Sequence, residues 1–294
     1  MPTIRTDDGV NLYYEEAGSG TPIVFVHEFA GDLRSYEPQM RYFSHSHRCI
    51  AYNARGYAPS DVPEDVSMYS QDRATDDVRA VLDGLGIDKA HIVGVSMGGF
   101  VAVHFGLRYA QRALSLAPGG CGYGSPLAVH AKFNAEAEKM ADRIAEVGMA
   151  TMAETYAVQA ARVQYQNKDP RGWAEFKQQL KEHSTLGSAN TMRGYQSQRP
   201  SLFNLEEGLR KITVPMLVMV GDEDDPAIEA SVFLKRVVPS AGLVIFPKTG
   251  HALNLEEPDL YHQQLLSFFH LVEAGRWQLR DPRSMTASIL SHDC

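Results

Sequence analysis

Ser96 lies in the run Gly94-Val95-Ser96-Met97-Gly98-Gly99, where an apolar stretch from His91 to Val95 passes into the apolar start of a helix. Flanking glycines let the backbone turn sharply enough to lift the hydroxyl out of a strand and set it at a helix N-terminus, as a nucleophile elbow does. There the free backbone N–H groups and the helix dipole favour a developing negative charge. A serine hydroxyl alone is a poor nucleophile and needs an adjacent base. His251, in Lys248-Thr249-Gly250-His251, is the candidate base. The acidic cluster Gly221-Asp222-Glu223-Asp224-Asp225-Pro226 offers a carboxylate to hold the imidazole in the accepting tautomer and stabilise its cation. Position along the chain leaves Asp222, Asp224 and Asp225 all open for that role. The order serine, acid, histidine is the one in which later loops complete a serine of this kind.

Bringing these groups together requires strands that end on one side of a sheet. Residues 22–26 form a continuous apolar run, as expected of a central strand buried on both faces. Residues 48–52, 113–117, 214–220 and 243–246 read as further strands, and 4–5 with 10–15 as a hairpin turning at Asp7-Asp8-Gly9. Helices are expected over 35–43 and 72–85, from Ser96 to about Tyr109, and over 227–237 and 257–271. Such alternation predicts an α/β fold with a parallel sheet, whose functional loops gather at the carboxyl ends of the strands. Between about 126 and 205 no strand is expected, and 131–148, 150–165 and 173–183 read as helices of an inserted cap. The expected organisation is a core of 1–122 and 206–275, a helical cap of 123–205 hinged at Gly119 to Gly124, and a loose tail of 276–294.

The loops carry five motifs in order: His27-Glu28-Phe29, Arg55-Gly56-Tyr57-Ala58-Pro59-Ser60-Asp61, Gly94-Val95-Ser96-Met97-Gly98-Gly99, the acidic cluster, and Gly250-His251 followed by Leu255-Glu256-Glu257-Pro258. With them, nearly the whole chain resembles the α/β-hydrolase superfamily. The resemblance implies an α/β-hydrolase fold, a mostly parallel eight-stranded sheet with helices on both faces and an inserted helical cap. It implies Asp224 as the acid, the N–H groups of Phe29 and Met97 as an oxyanion hole, and no metal or organic cofactor. Glu28, Cys121 and Tyr123 are the expected pocket or entrance residues. Cys121 reads as a small buried residue and not a second nucleophile, since no basic partner is evident near it. One position departs from the resemblance: the superfamily usually carries glycine where this chain has Glu28. A carboxylate there would oppose an oxyanion unless paired or solvated, with Arg34 and Arg55 as candidate partners.

Composition narrows the partners. Thirty-six acidic against 28 basic residues give a formal net charge of −8, without a Lys/Arg run. That disfavours nucleic acid or an anionic membrane surface and points to a small-molecule substrate. Cys49, Cys121 and Cys294 have unrelated spacings and describe neither a disulfide framework nor a zinc site, which fits a reducing compartment. The polar first ten residues lack a signal-peptide core, and no apolar run approaches the ~18 residues of a membrane span, so a cytoplasmic protein is expected. A homodimer is compatible with this reading. Of the other histidines, His27 is read as structural, His104 as a satisfied core residue, and His45-Ser46-His47 as solvated surface without a third metal ligand. The expected activity is hydrolysis of a small, largely apolar ester or related acyl compound through an acyl-enzyme. The alternatives are a carbon–carbon bond or enol-lactone hydrolase of aromatic degradation, and a triad-bearing ligand receptor whose turnover is incidental.

Overall fold

A computed structural model of the chain describes residues 1–285. Eight strands form one sheet: β1 (Thr3–Arg5), β2 (Asn11–Ala17), β3 (Pro22–Val26), β4 (Arg48–Tyr52), β5 (Ala90–Val95), β6 (Ala113–Gly119), β7 (Met216–Gly221) and β8 (Ala241–Phe246). Their spatial order is β1-β2-β4-β3-β5-β6-β7-β8, with antiparallel pairing at β1/β2 and β2/β4 and parallel pairing from β4 to β8. The expected hairpin is thus present, and Gly9 supplies its turn with φ 90°. The central strand β5, Ala-His-Ile-Val-Gly-Val, is buried throughout, because helices cover both faces.

The helices are α1 (Glu37–Phe43), α2 (Gln71–Gly84), α3 (Met97–Arg108), α4 (Leu127–Val147), α5 (Met149–Tyr156), α6 (Val163–Lys168), α7 (Pro170–Lys181), α8 (Thr185–Asn190), α9 (Glu206–Leu209), α10 (Asp225–Val237), α11 (Leu253–Glu256) and α12 (Pro258–Glu273). Helix α2 begins where Ser70 accepts from the Arg73 N–H, and its Val78, Val81 and Leu82 face the core. On the opposite face Phe43 of α1 packs with Leu265, Phe268 and Phe269 of α12. Because β3, β5, β6, β7 and β8 run parallel, the loops after Val26, Val95, Gly119, Gly221 and Phe246 emerge on one edge.

Among the described residues, everything between β6 and β7 is helical or loop. Three details depart from expectation. The single helix expected over 150–165 is two, α5 and α6, separated by a turn and a short 3-10 helix at Ala160–Arg162. Residues 185–196, left without an assignment by the sequence, are helical: α8 runs on into a π-helical turn at Thr191–Gln196. The tail, expected to be loose, docks at its start. Trp277 sits edge-on to Phe268, with ring centroids 4.6 Å apart, and donates its indole N–H to the Ser240 carbonyl at 2.7 Å. Residues 286–294 of the expected tail, with Cys294, lie outside the described residues.

Candidate active site

Ser96 is the residue between β5 and α3, and it has φ 54° and ψ −114°. A non-glycine residue at positive φ is strained and is held only by its surroundings. The surroundings leave no room for larger neighbours: a Cβ on Gly94 would fall 2.1 Å from the Gly98 carbonyl oxygen, and one on Gly98 would fall 1.9 Å from that of Val26. The turn therefore depends on both glycines. No hydrogen bond joins Ser96 to His251 in this arrangement, but both side chains line one cavity of about 280 Å³.

His251 follows β8 and Asp224 precedes α10. The His251 Nδ1–H donates to Asp224 Oδ2 at 2.7 Å, with both residues buried. A carboxylate can only accept, so Nε2 is left as the acceptor nitrogen. Asp222 instead accepts from the Thr249 N–H at 3.1 Å and braces the histidine loop, while Asp225 is exposed in the first turn of α10. Three further residues hold the pair. Tyr123 donates its hydroxyl to Asp224 Oδ1 at 2.9 Å and sits edge-on to the imidazole. Glu256 accepts from the N–H groups of Gly250 at 2.6 Å and Ala252 at 3.0 Å. The Ala161 carbonyl, in the break between α5 and α6, accepts from the His251 N–H at 3.2 Å.

The N–H groups of Met97 and Phe29 donate to no other group among the described residues. The Tyr195 hydroxyl donates to the Met97 carbonyl at 3.2 Å, and the Tyr57 hydroxyl to the Phe29 carbonyl at 2.9 Å. His27 fixes the Phe29 side. Its Nε2 accepts from the Ala54 N–H at 3.0 Å, so Nδ1 carries the proton and donates to the Glu28 carbonyl at 2.7 Å. That carbonyl belongs to the peptide whose N–H is Phe29's, and a hydrogen bond on one end polarises the other. Burial pushes the His27 pKa down to about 4, which keeps the ring neutral in this role.

The family model of the alpha/beta hydrolase fold matches residues 21–258. The chain belongs to this family. It is 25% identical over 275 residues to 3-oxoadipate enol-lactonase 1 of Acinetobacter baylyi, covering 93% of this chain and 97% of that protein. It is 28% identical over 274 residues to the 2-hydroxy-6-oxo-6-phenylhexa-2,4-dienoate hydrolase of Burkholderia cepacia, covering 87% and 90%. Among solved structures, a thermophilic esterase from Thermogutta terrifontis superposes with a TM-score of 0.82 at 25% identity, covering 92% of this chain and 98% of that one.

Within this α/β hydrolase, Glu28 is neither solvated nor held by Arg34 or Arg55. Arg34 is taken by Asp32 and Glu182, and Arg55 by Asp8 and Asp77. The partner is Arg162, 134 residues away in sequence: Nη1 donates to Oε1 at 2.8 Å and Nη2 to Oε2. Burial raises the Glu28 pKa, but the charge and hydrogen bonds of Arg162 outweigh it and hold the carboxyl below its usual range. Glu28 is therefore covered by the wall of the cavity and does not stand at an entrance. Cys121 is the small buried residue expected and does not line the cavity: it is fully buried, close against Gly99, and burial pushes its thiol up to about 12. Tyr123 does line the cavity, with Phe133, Met140, Tyr156, Met192, Arg162 and Arg199 from the helical segment.

Two histidine readings also change. His47 is buried, edge-on to Phe43, with Nε2 3.4 Å from Glu273. His104 is buried, but its Nε2 has no partner among the described residues. No group of three or more His, Cys, Asp or Glu side chains among the described residues could hold a metal ion. No described helix is long and apolar enough to cross a membrane.

Proposed function

We propose that this α/β hydrolase cleaves a small ester or related acyl compound through an acyl-enzyme, with Ser96 as nucleophile, His251 as base and Asp224 as its orienting carboxylate. The observation that carries the reading is the Asp224–His251 pair opening onto the same cavity as a serine at positive φ. His251 Nε2 takes the Ser96 proton as Oγ bonds to the carbonyl carbon. The carbonyl π electrons pass to oxygen, and that oxyanion is received by the Met97 and Phe29 N–H groups. The bond to the leaving group breaks and His251 returns the proton to it. Water then adds to the acyl carbon, losing a proton to His251, and Ser96 leaves with that proton while the acid is released. In this account the segment 123–205 is the substrate-covering cap, and the free buried thiols Cys49 and Cys121 suit a reducing, cytoplasmic setting.

The 28% likeness to a dienoate hydrolase supports a rival use of the same groups on a carbon–carbon bond. Steady-state assays with p-nitrophenyl acetate and butyrate beside a ring-cleavage dienoate decide between them. The reading predicts multiple turnover of the aryl esters with an initial burst, and a kcat loss of about 10⁴-fold or more in Ser96→Ala. Turnover confined to the dienoate, or ester turnover that survives Ser96→Ala, contradicts it.

A further inference from the structure

Arg199 stands in the wall of the Ser96 cavity and is 4% exposed. Its guanidinium carbon lies 3.4 Å from the centroid of the Phe100 ring. A guanidinium has five N–H donors. Two are used: Nη1 donates to Gln196 Oε1 at 2.6 Å, and Nη2 to the Tyr123 carbonyl at 2.9 Å. No carboxylate among the described residues forms an ion pair with it, whereas of the other buried arginines Arg55 pairs with Asp8 and Asp77, and Arg162 with Glu28. The buried carboxylates of the site are engaged, Glu28 with Arg162 and Asp224 with His251 and Tyr123. The rim carboxylate Glu136 is exposed, 3.7 Å from Lys132. Burial without a counter-ion pushes the Arg199 pKa down to about 10, which still leaves a cation at neutral pH.

Buried charges are ordinarily paired, because desolvating a lone ion is costly. A cation preformed in a cavity wall, with donors to spare in a planar fork, suits a carboxylate arriving in that cavity. We propose that Arg199 receives a carboxylate of the substrate, so that the compound cleaved carries an anionic carboxylate at the end remote from its scissile acyl group. A monoanion matches the charge of this one guanidinium, whereas a phosphate dianion would leave one charge uncompensated. The remainder of the substrate would lie against Phe29, Phe133, Met140 and Met192, which line the same cavity. The inference rests on the hydrolase reading of Ser96 and narrows its substrate from largely apolar to apolar with one anionic end.

The test compares mono-(4-nitrophenyl) half-esters of adipic, pimelic and suberic acids with their methyl-capped counterparts. At one chain length or more, the wild-type kcat/KM ratio of acid to methyl ester is expected to be about tenfold or higher, and to fall by about tenfold or more in Arg199→Gln. A wild-type ratio of one or less at every length, or a ratio that Arg199→Gln leaves intact, overturns the proposal. If Arg199→Gln does not fold, the wild-type protein alone decides. Adipate must then inhibit neutral-ester hydrolysis about tenfold more tightly than dimethyl adipate, and equal inhibition overturns the proposal. Failure of the hydrolase reading appears separately, as no turnover of either ester. In that event calorimetric binding of adipate still decides the role of Arg199. Binding to the Ser96→Ala protein that is lost when Arg199→Gln is added supports the proposal, and binding that the second substitution leaves unchanged overturns it.

Discussion

Arg162 and Arg199 line one cavity, are both buried and come from the same helical segment, yet only Arg162 has a carboxylate. Arg162 closes over Glu28 in a bidentate pair, and the residue before it accepts from the His251 N–H. That short stretch, Ala161-Arg162, thereby ties the Glu28 loop and the His251 loop to the helical segment between β6 and β7. Arg199 ties much less. Its two hydrogen bonds go to neutral acceptors, and burial works against its charge. A paired buried arginine is part of what holds the site together. An unpaired one in the same wall weakens the fold slightly and is accounted for by a ligand.

The contrast breaks most readily at Glu28. Glu28→Gln leaves Arg162 buried without a counter-ion, and the expected loss is roughly 3–5 kcal/mol in urea denaturation. A loss below about 1 kcal/mol would mean the pair is not structural. Replacing both partners, Glu28→Met with Arg162→Met, should recover most of that loss, since the uncompensated charge is gone.

Acid provides the next largest effect. His27, His91 and His104 are buried, and burial lowers each pKa to about 4 from 6.5. Between those values the unfolded chain binds more protons than the folded one, so stability is complete above pH 6.5 and falls as pH is lowered toward 4. The Tm measured by calorimetry should drop by about 5 °C or more across that window. Glu28 adds to the loss only at still lower pH, because its carboxyl is held below the usual range and its contribution disappears as pH falls through that lowered value. A flat Tm from pH 7 to pH 4.5 would contradict the neutral, buried state assigned to the histidines.

Tyr123→Phe removes one hydrogen bond to Asp224 and should lower kcat by about threefold to tenfold with little change in KM. An effect confined to KM would place the hydroxyl on the substrate instead. The smallest expected change is in the stability of Arg199→Met, within about 1 kcal/mol of wild type, because relief of an unpaired buried charge offsets the lost hydrogen bonds and the contact with Phe100. A loss as large as that of Glu28→Gln would remove the distinction between the two arginines.

Much of this site is legible in the sequence, and the reason is locality. Gly94, Ser96 and Gly98 specify a turn by their own sterics, and strand ends in a parallel sheet place the Asp224 and His251 loops beside it. Asp224 was separated from Asp222 and Asp225 only by the family resemblance, and the structure shows the geometric difference, since only Asp224 reaches Nδ1. The Glu28 irregularity was visible in sequence, but its partner was not. Arg162 lies 134 residues on, within a stretch whose Ala, Val and Gln residues carry no helix-breaking signal. The helix expected over 150–165 is broken between Tyr156 and Val163, where the Ala161 carbonyl and the Arg162 side chain make tertiary contacts that compete with local propensity. Arg199 had no signal beyond its place before Pro200, because neither burial nor the lack of a counter-ion can be read from a neighbouring residue. Glu256 lay inside the Leu-Glu-Glu-Pro motif, yet its hold on the histidine loop appears only when the Gly250 and Ala252 N–H groups are seen to converge on it.

The central claim is that Ser96 is the nucleophile, and covalent labelling tests it directly. The native protein treated with a fluorophosphonate should gain the mass of one phosphonyl group, mapped by peptide mass spectrometry to the peptide containing Ser96. Ser96→Ala should gain none. Absence of labelling on folded native protein, or labelling that persists in Ser96→Ala, would contradict the account.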